Sequence, residues 1–487
     1  MHVVTFNFIM EIMYFINILL VLFIVFFERK APTTAFAWCL AIIFLPGIGF
    51  LLYLVFGNKP RFYNNRRFNK KTLYDNTYRL LLLDQTSFFD RDNLPFISDK
   101  EQKYNALIRF NTIGAESIYT SNNSVDVFTS AQDKYTALLN DIRKAEKDIN
   151  MVYYIYRDDS IGRHIIQALA EKARAGVKVR CILDDAGCLK TNKRKLFKPL
   201  LAAGGELKRF SPVWSLLRLN YRNHRKIVVI DGKIGYMGGM NIGDEYMGLK
   251  KVKNWRDTHL RIEGNGVYLL QIRFLLDWCY AAHTEIDQIE HLDEFFPRAN
   301  ESHNGHIGMQ IVSSGPDRDA DYLKLAMIKM IHEAHHTIYI QTPYFIPDQS
   351  FLEALKTAAM TGIQIHLMIP GQYDKFLVYQ GTFSYLEDLI HYPSVKIYLY
   401  NGFLHAKTMV VDDAVTTIGT ANLDIRSFSL HFEINSFIYD TDFTKQYIQI
   451  FQKDLENSYC LTAEEYEKRS IFHKMIEAIM RLLSPLL

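Results

Sequence analysis

A histidine, a lysine, an aspartate, a glycine and an asparagine occur twice in this chain at identical spacing, in the order HxKxxxxDx₆GxxN. Each residue of the first copy has its counterpart 181 positions later. The pairs are His224 and His405, Lys226 and Lys407, Asp231 and Asp412, Gly238 and Gly419, and Asn241 and Asn422. Five fixed residues match by accident at about 10⁻⁷ per start position, so two matches indicate a duplicated site.

These residue types suit a phosphodiester substrate. KIVVID and KTMVVD alternate like strands, and residues two apart on a strand project from the same face, so each copy offers an imidazole beside an ammonium. Two facing copies would hold one phosphodiester between two histidines, one attacking phosphorus and the other protonating the leaving alcohol. The predicted oxygen-binding groups are Lys226, Lys407, Asn241 and Asn422. Asp231 and Asp412 complete the catalytic motif, although we expect them to brace the turn after each strand.

Helices and strands alternate around both copies of the motif. Helical spacing covers Ser130–Asp148, Ile161–Ala175, Asp321–His335 and Phe351–Thr361, and strand patterns cover Met151–Tyr156, Val177–Leu183, Thr337–Gln341 and Ile363–Ile369. The surroundings of Gly176 and Gly362 match, as EKARAGVKV against KTAAMTGIQI. The predicted fold class is therefore α/β, with a duplicated α/β sandwich and one active site between the halves.

The doubled motif resembles the signature of the phospholipase D superfamily, over roughly residues 110–460. Further stretches resemble the bacterial cardiolipin synthases: Trp255-Arg256-Asp257, Ser314-Gly315-Pro316, Tyr344-Phe345-Ile346-Pro347 and Asp424-Ile425-Arg426-Ser427. The resemblance implies a phosphatidyl-histidine intermediate and reversible transfer between two phosphatidylglycerol molecules, giving cardiolipin and glycerol. It implies no cofactor and no metal, because the lysines supply the positive charge. By the same resemblance His224 attacks and His405 is the acid/base.

Two further residues are candidates to orient the histidines, and the chain departs from the family pattern at two places. Members of the superfamily often use a carboxylate some 25–35 residues beyond the histidine. Asp257 lies 33 residues after His224, and Glu433 lies 28 after His405. Thr420 stands where Ser is commoner, and His431 stands where the family often has Asn.

The amino terminus predicts a membrane hairpin. Val3–Phe27 contains Glu11 as its one charge, and Ala31–Phe56 contains none, so each segment is long enough to cross a bilayer. Pro46-Gly47 predicts a kink in the second span. Lysine and arginine are more numerous after the second span than in the loop between the spans, which predicts a cytoplasmic catalytic domain in a multi-pass protein of the bacterial cell membrane. The basic residues after that span are Lys59, Arg61, Arg66, Arg67, Lys70 and Lys71.

The predicted division of the chain is a transmembrane hairpin (1–58), a linker or membrane-proximal segment (59–109), a first half (110–300), a second half (301–460) and a carboxyl-terminal amphipathic helix (461–487). That helix would lie on the membrane or pack on the catalytic domain. Two basic runs suit an anionic membrane interface. The first contains Lys190, Lys193, Arg194, Lys195 and Lys198. The second contains Lys208, Arg209, Arg218, Arg222 and Arg225 among Phe210, Trp214, Leu216, Leu217 and Leu219.

The composition of the 487 residues, 49% hydrophobic and 22% charged, excludes a disordered chain and predicts two to three domains. The five cysteines form no CxxC pair, so neither a zinc site nor a disulfide framework is expected. The favoured function is a membrane-bound phosphatidyltransferase acting on phosphatidylglycerol among anionic lipids. The alternatives are a membrane-bound phospholipase D-type phosphodiesterase that hydrolyses phospholipid, a nuclease, and a scaffold with a relic site. The two spans disfavour nucleic acid as a partner, the intact motifs disfavour a scaffold, and the oligomeric state stays open.

Overall fold

The computed structural model describes residues 2–28, 32–53, 57, 76–90, 104–213, 220–249, 254–285, 288–289, 295–296 and 305–484. The described strands are β1 (Thr120–Phe128), β2 (Asp148–Tyr153), β3 (Lys178–Asp184), β4 (Glu206–Phe210), β5 (Ile227–Ile230), β6 (Ile234–Gly238), β7 (Trp255–Arg256), β8 (His259–Glu263), β9 (Ile307–Ser314), β10 (Thr337–Gln341), β11 (Phe345–Ile346), β12 (Gln364–Pro370), β13 (Val395–Tyr400), β14 (Phe403–Leu404), β15 (Thr408–Val411), β16 (Val415–Gly419), β17 (Leu423–Asp424), β18 (Glu433–Ile438) and β19 (Ser458–Leu461).

The described helices are α1 (His2–Phe27), α2 (Pro32–Phe44), α3 (Ile48–Leu52), α4 (Asn76–Asp90), α5 (Asn105–Ile113), α6 (Ala131–Lys144), α7 (Ser160–Arg174), α8 (Lys193–Ala202), α9 (Gly266–Ala282), α10 (Tyr322–His332), α11 (Gln349–Met360), α12 (Phe376–Ile390), α13 (Ile425–Ser429), α14 (Thr441–Glu456), α15 (Ala463–Glu467) and α16 (Ile471–Leu482). A 3-10 turn covers Asp244–Met247.

One continuous sheet runs through both halves, and its strand order repeats. From the centre outward the first half reads β1-β8-β6-β5-β2-β3-β4, and the second reads β9-β18-β16-β15-β10-β12-β13-β19. The halves meet where β1 pairs antiparallel with β9, and β18 pairs with the other edge of β9. The predicted duplicated α/β architecture is therefore confirmed, and the repeat places β5 and β15, the two motif strands, at equivalent positions.

Helices cover both faces of the sheet, as the near-continuous apolar strands require. Helices α6, α7 and α8 bury their apolar faces on the first half, and α10, α11 and α12 do so on the second. Between the halves, α9 and α14 share one core with strands of both, including Leu260, Ile418 and Ile434. This shared core fixes the two motif strands relative to each other.

The segment predicted as a linker contains packed helices. Helix α4 inserts Phe89 and α5 inserts Leu107 and Ile108 into the core of the second half. The side chain of Gln85 both donates to the carbonyl of Tyr119 (2.8 Å) and accepts from its N–H (2.9 Å). The linker prediction is thus wrong for this part, because the apolar residues on one side of α4 and α5 have a core to join. The predicted basic run from Lys59 to Lys71 lies outside the described residues.

The two apolar segments at the amino terminus form a pair of packed helices. Helices α1 and α2 meet at Ile24 and Ile42, and the side chain of Asn17 donates to the carbonyl of Ile42 (3.3 Å). The second segment breaks between α2 and α3, where Gly47 has a φ of +81° that favours glycine. Within the described residues, none of the helices combines the length and the apolarity needed to cross a membrane.

The predicted carboxyl-terminal helix is two helices. Tyr466 of α15 is buried in the second half, and Thr462 caps that helix with Glu465 in a capping box. Helix α16 packs on α12, where Arg481 pairs with Asp388 (2.6 Å). The opposite side of α16 is exposed and apolar, with Ile471, Phe472, Met475, Ile479 and Leu482.

Candidate active site

The two motif histidines lie in extended segments that each pair with backbone of the other half. His224 precedes β5, and its backbone N–H donates to the carbonyl of Phe432 (3.0 Å). His405 follows β14, which pairs with β7, and its N–H donates to the carbonyl of Arg256 (2.6 Å). Both histidines are therefore held at the seam between the halves.

Because of this pairing, each of the two carboxylates contacts the histidine of the other half. The residue after Phe432 is Glu433, which contacts Nδ1 of His224 at 3.0 Å and 3.1 Å through its two oxygens. The residue after Arg256 is Asp257, whose Oδ2 contacts Nδ1 of His405 at 2.6 Å. Spacing along the sequence associates each carboxylate with the histidine of its own half, and the structure brings each to the histidine of the other half.

Burial and these contacts set the protonation of both histidines. Burial lowers the pKa of His224 to about 3, outweighing the nearby Glu433. Burial likewise lowers the pKa of His405 to about 4, helped by Lys407 and opposed by Asp257. Burial alone would raise the pKa of Glu433, but its contacts with His224 hold it below the usual range. A neutral imidazole beside an ionised carboxylate keeps its proton on Nδ1, which leaves the Nε2 lone pair for chemistry.

The motif lysines are buried beneath the histidines. The ammonium of Lys226 donates to the carbonyl of His224, and that of Lys407 donates to the carbonyl of His405. Burial lowers the pKa of Lys226 to about 7 and that of Lys407 to about 8, and the charge of Lys407 further lowers the first. Lys226 also lowers the pKa of His405. The charges of the two halves therefore act within one site.

The residues that follow β6 and β16, the strands next to the motif strands, contact the carboxylates or leave room for them. A Cβ at Gly239 would lie 2.0 Å from Oδ1 of Asp257, so only glycine leaves room for that side chain. At the equivalent position Thr420 donates its hydroxyl to Oε2 of Glu433 (2.6 Å). The Gly-Thr departure from Gly-Ser thus keeps a hydroxyl donor on the carboxylate.

The two motif asparagines differ in their surroundings. The side chain of Asn241 accepts from the N–H of Ile155 (3.0 Å) and donates to the hydroxyl of Tyr246 (2.9 Å). Both the oxygen and the nitrogen of this amide therefore form hydrogen bonds within the protein. Oδ1 of Asn422 is buried and has no hydrogen-bond partner among the described residues.

Asp231 and Asp412 lie at the far ends of β5 and β15, away from the histidines. Asp231 accepts from the backbone N–H groups of residues 146, 147 and 148 (2.7–3.0 Å), and Asp412 accepts from those of residues 335, 336 and 337 (2.8–3.0 Å). Both adopt a left-handed φ, +53° and +55°. Both oxygens of each carboxylate therefore accept from backbone N–H groups at the end of the strand away from the histidine.

In its described part, the second basic run contains two buried arginines. Arg225 is fully buried and pairs with Asp277 (3.1 Å), while Arg222 is buried and donates to the carbonyl of Ser211 (2.7 Å). Phe210 lies in the core and Arg209 pairs with Asp185. Short-range composition could not show these partners, which are 11 to 52 residues away in sequence. Trp214, Leu216, Leu217, Arg218 and Leu219 lie outside the described residues.

Aromatic side chains that sequence reasoning did not select complete the walls of the site. The ring of Tyr154 meets His224 edge-on with centroids 4.8 Å apart, and Lys226 lies 5.4 Å from that ring. Trp255 lies 5.3 Å from His405. Trp255 immediately precedes the Arg256–Asp257 pair, which is the sequence signal that could have identified it.

One group of side chains could hold a metal ion by geometry. Donor atoms of His224, His431 and Glu433 lie within 4.8 Å of one another. The charges around them oppose a cation, because Lys226 lowers the pKa of His224 and Arg426 lowers that of His431. The surroundings favour an anion such as a phosphodiester instead.

Two repeat-related halves that share a histidine–lysine site define a protein of the phospholipase D class. The solved structure of phosphatidylserine synthase from Haemophilus influenzae Rd KW20 covers 80% of this chain and 100% of its own, with a TM-score of 0.60 and 13% identity. That likeness shows the fold. Residues 138–257 and 327–455 match the family described as "Cardiolipin synthase, PLD-like domain", and residues 15–58 match "Phospholipase_D-nuclease N-terminal".

Curated relatives narrow the class further. The major cardiolipin synthase ClsA of Bacillus subtilis is 42% identical over 98% of both chains. The cardiolipin synthase of Oceanobacillus iheyensis is 43% identical over 97% of both. Cardiolipin synthase 1 of Staphylococcus epidermidis is 42% identical over 97% of this chain and 96% of its own. The chain belongs to the cardiolipin synthases of the phospholipase D superfamily, so the predicted family and the predicted enzyme class, a phosphatidyltransferase, are confirmed.

Proposed function

We propose that this enzyme joins two phosphatidylglycerol molecules into cardiolipin and glycerol, with His224 as nucleophile and His405 as acid/base. The observation that supports this most is the crosswise contact of each Nδ1 with a carboxylate, which presents the two Nε2 atoms for work on one phosphate. A buried carboxylate behind an imidazole fixes its tautomer and stabilises its positive charge during reaction. We assign Glu433 and Asp257 this positioning role.

In the first step Nε2 of His224 attacks phosphorus and the bond from phosphorus to the glycerol headgroup oxygen breaks. Burial makes the imidazolium the minor form of His405 near neutral pH, and Asp257 behind Nδ1 favours that form. From it His405 gives its proton to the departing oxygen, and glycerol leaves. Lys226, Lys407 and the amide of Asn422 face the phosphate oxygens, where their charge and hydrogen bonds act most strongly in the transition state. Asn241 does not bind the phosphate but holds the neighbouring backbone in place, because its amide is bound within the protein.

In the second step neutral His405 takes the proton from a hydroxyl of another phosphatidylglycerol. The freed oxygen attacks phosphorus, the phosphorus–nitrogen bond breaks, and His224 is restored. The site excludes bulk water from the histidines, each of which is 8% exposed, so an alcohol brought in by a lipid competes well with hydrolysis. We expect neither step to need a metal, because the two lysines supply the positive charge.

We further propose that α1, α2 and α3 form the membrane hairpin, with the catalytic halves in the cytoplasm. Most of the apolar side chains of these helices that the structure describes are exposed, for example Phe15, Phe26, Phe36 and Phe44 at 62–75%. Exposed phenylalanines at this density favour a lipid environment. The match of residues 15–58 to an amino-terminal family segment supports the same assignment.

The purified full chain given phosphatidylglycerol vesicles tests the reaction. We expect cardiolipin and glycerol in equal amounts. Phosphatidic acid with glycerol would indicate the hydrolase instead, and an absence of product would contradict both. The variant His224→Ala is the matched control for background hydrolysis.

A further inference from the structure

Two exposed loops flank the active site at equivalent places in the repeat. One follows β3 and contains Leu189 and Lys190. The other follows β12 and contains Tyr373 with Phe376 and Leu377 at the start of α12. Strands β3 and β12 are offset by 186 residues at both ends, so the loops are repeat-related. Together we call them the rim.

The rim is connected to both histidines through short contacts. Beside Leu189, the thiol of Cys188 contacts the carbonyl of Tyr154 (3.4 Å), whose ring lies against His224. On the other side the N–H of Gln372 donates to the carbonyl of Gly402 (3.1 Å), three residues before His405. Each loop therefore lies next to residues that surround one histidine.

The rim exposes large apolar side chains. Leu189 is 64% exposed, Tyr373 54%, Leu377 52% and Phe376 41%. Large apolar side chains exposed together on two loops beside one site are typical of an interaction surface.

Cations surround these apolar tips. Lys190, Arg194, Lys195 and Lys198 are exposed beside Leu189, and Lys375 is exposed between Tyr373 and Phe376. The acidic neighbour Asp374 is held by the hydroxyl of Tyr344 (2.7 Å). Apolar tips with basic neighbours complement a bilayer surface, which offers acyl chains below anionic headgroups.

We propose that the rim docks the active site onto an anionic phospholipid bilayer, with the apolar tips inserted among the acyl chains on both sides of the mouth. This inference rests on the proposed function. Docking lets a phosphatidylglycerol headgroup move from the bilayer to the histidines without its acyl chains crossing water. The amino-terminal hairpin tethers the chain, and the rim sets the orientation of the catalytic halves on the surface.

The test uses the full chain in nanodiscs and the triple variant Leu189→Ser, Phe376→Ser, Leu377→Ser. Glycerol release is measured from dioleoyl phosphatidylglycerol in the disc, and separately from water-soluble dihexanoyl phosphatidylglycerol added to discs of neutral lipid. We expect glycerol release by the variant to be at least about tenfold slower than wild type on the bilayer substrate, and less than about twofold slower on the soluble one. Met360→Ser is the matched control, because Met360 is 69% exposed at the opposite end of β12, and it should lose neither rate.

The other outcomes are decisive as well. Equal losses on both substrates would overturn docking and indicate damage to the site, and unchanged rates on both would overturn it too. A rim that binds a second copy of the chain would appear as an oligomer that the variant dissociates, with no selective loss on the bilayer substrate. Wild-type enzyme that releases glycerol from neither substrate would contradict the proposed function itself.

Discussion

Glu433 and Asp257 each contact Nδ1 of a histidine, but their other partners differ. Glu433 also accepts the hydroxyl of Thr420 (2.6 Å), while Asp257 accepts the N–H of Thr258 (2.7 Å). Because each carboxylate serves the histidine of the other half, its removal should affect the step that this partner performs. Substitution of the carboxylates can therefore test which histidine is the nucleophile and which is the acid/base.

We expect Glu433→Gln to slow formation of the phosphatidyl adduct on His224, by about a hundredfold or more, even with a p-nitrophenyl leaving group. The amide removes the charge that supports the developing imidazolium. Asp257→Asn should leave that adduct rate within about threefold, because p-nitrophenol departs without a proton donor, while turnover of phosphatidylglycerol falls strongly. Stopped-flow release of p-nitrophenol and mass spectrometry of the quenched enzyme measure both.

The histidine variants are the controls for this experiment. His405→Ala should still trap an adduct on His224, and His224→Ala should trap none. The opposite pattern, with an adduct on His405 and sensitivity to Asp257→Asn, would reverse the assignment and keep the two-histidine mechanism.

The lowered pKa values of the two motif lysines predict that kcat/KM declines at an unusually low alkaline pH. A phosphodiester anion needs both ammonium groups, and burial lowers the pKa of Lys226 to about 7 and of Lys407 to about 8. Protonated lysine is present below the pKa and lost above it. The two lysines should therefore make kcat/KM fall by a further factor of about ten per pH unit above about 7, and more steeply above about 8, in addition to any fall from loss of the His405 proton. The measurement is the pH profile of kcat/KM for soluble dihexanoyl phosphatidylglycerol, from mildly acid to strongly alkaline buffer. A profile that stays flat about two pH units above the pKa of Lys226 would contradict it.

Single residues show how far the sequence could lead. The doubled motif identified His224 and His405 because chemistry and repetition coincide there. The exchange of the carboxylates could not be predicted, since each histidine and its carboxylate are 148 or 209 positions apart and meet through backbone pairing between the halves. Spacing along the chain instead offered each histidine a carboxylate of its own half, at a similar number of residues in the two halves. Likewise the surroundings that bury Arg225 come from α9 and β9, which local composition does not show.

At the scale of elements, the motif aspartates hold the strands in place. Asp231 and Asp412 each join the end of a motif strand to the start of the neighbouring strand, β2 or β10, through three backbone N–H groups. Because they stand at the far end from the histidines, they act through the position of the strand. The sequence predicted this turn from the end of each strand pattern, whereas the three accepted bonds follow from the antiparallel pairing of β5 with β2 and β15 with β10.

Asp231→Asn and Asp412→Asn should therefore change stability more than chemistry. An amide keeps one acceptor oxygen but turns a donor toward backbone N–H groups, at about 1–3 kcal/mol. We expect each variant to lower the melting temperature, with activity below the transition within about threefold of wild type. A variant that loses activity by about a hundredfold without any change in melting temperature would return these residues to the catalytic machinery. Thermal denaturation monitored by circular dichroism, with activity assayed well below the transition, separates the outcomes.

At the scale of the whole molecule, the two halves are one catalytic unit. Each contributes a histidine and the carboxylate for its partner's histidine, and β1 and β9 join them through one sheet. The duplication and the α/β class could be read from the repeat. The packing of α4 and α5 on the second half could not, because their polar composition resembles a linker and their partners lie far along the chain, in the second half.

The orientation of this unit across the membrane gives the last prediction. The bias of lysine and arginine predicts that the catalytic halves lie in the cytoplasm. Cys460 in β19 is the exposed thiol of the described part of the catalytic halves, since Cys181, Cys188 and Cys279 are buried. A membrane-impermeant maleimide should therefore leave Cys460 unlabelled in intact cells and label it in inverted vesicles, and Cys460→Ser should abolish that labelling. Labelling of Cys460 from the outside of sealed cells would reverse the topology, and with it the side of the membrane on which cardiolipin is made.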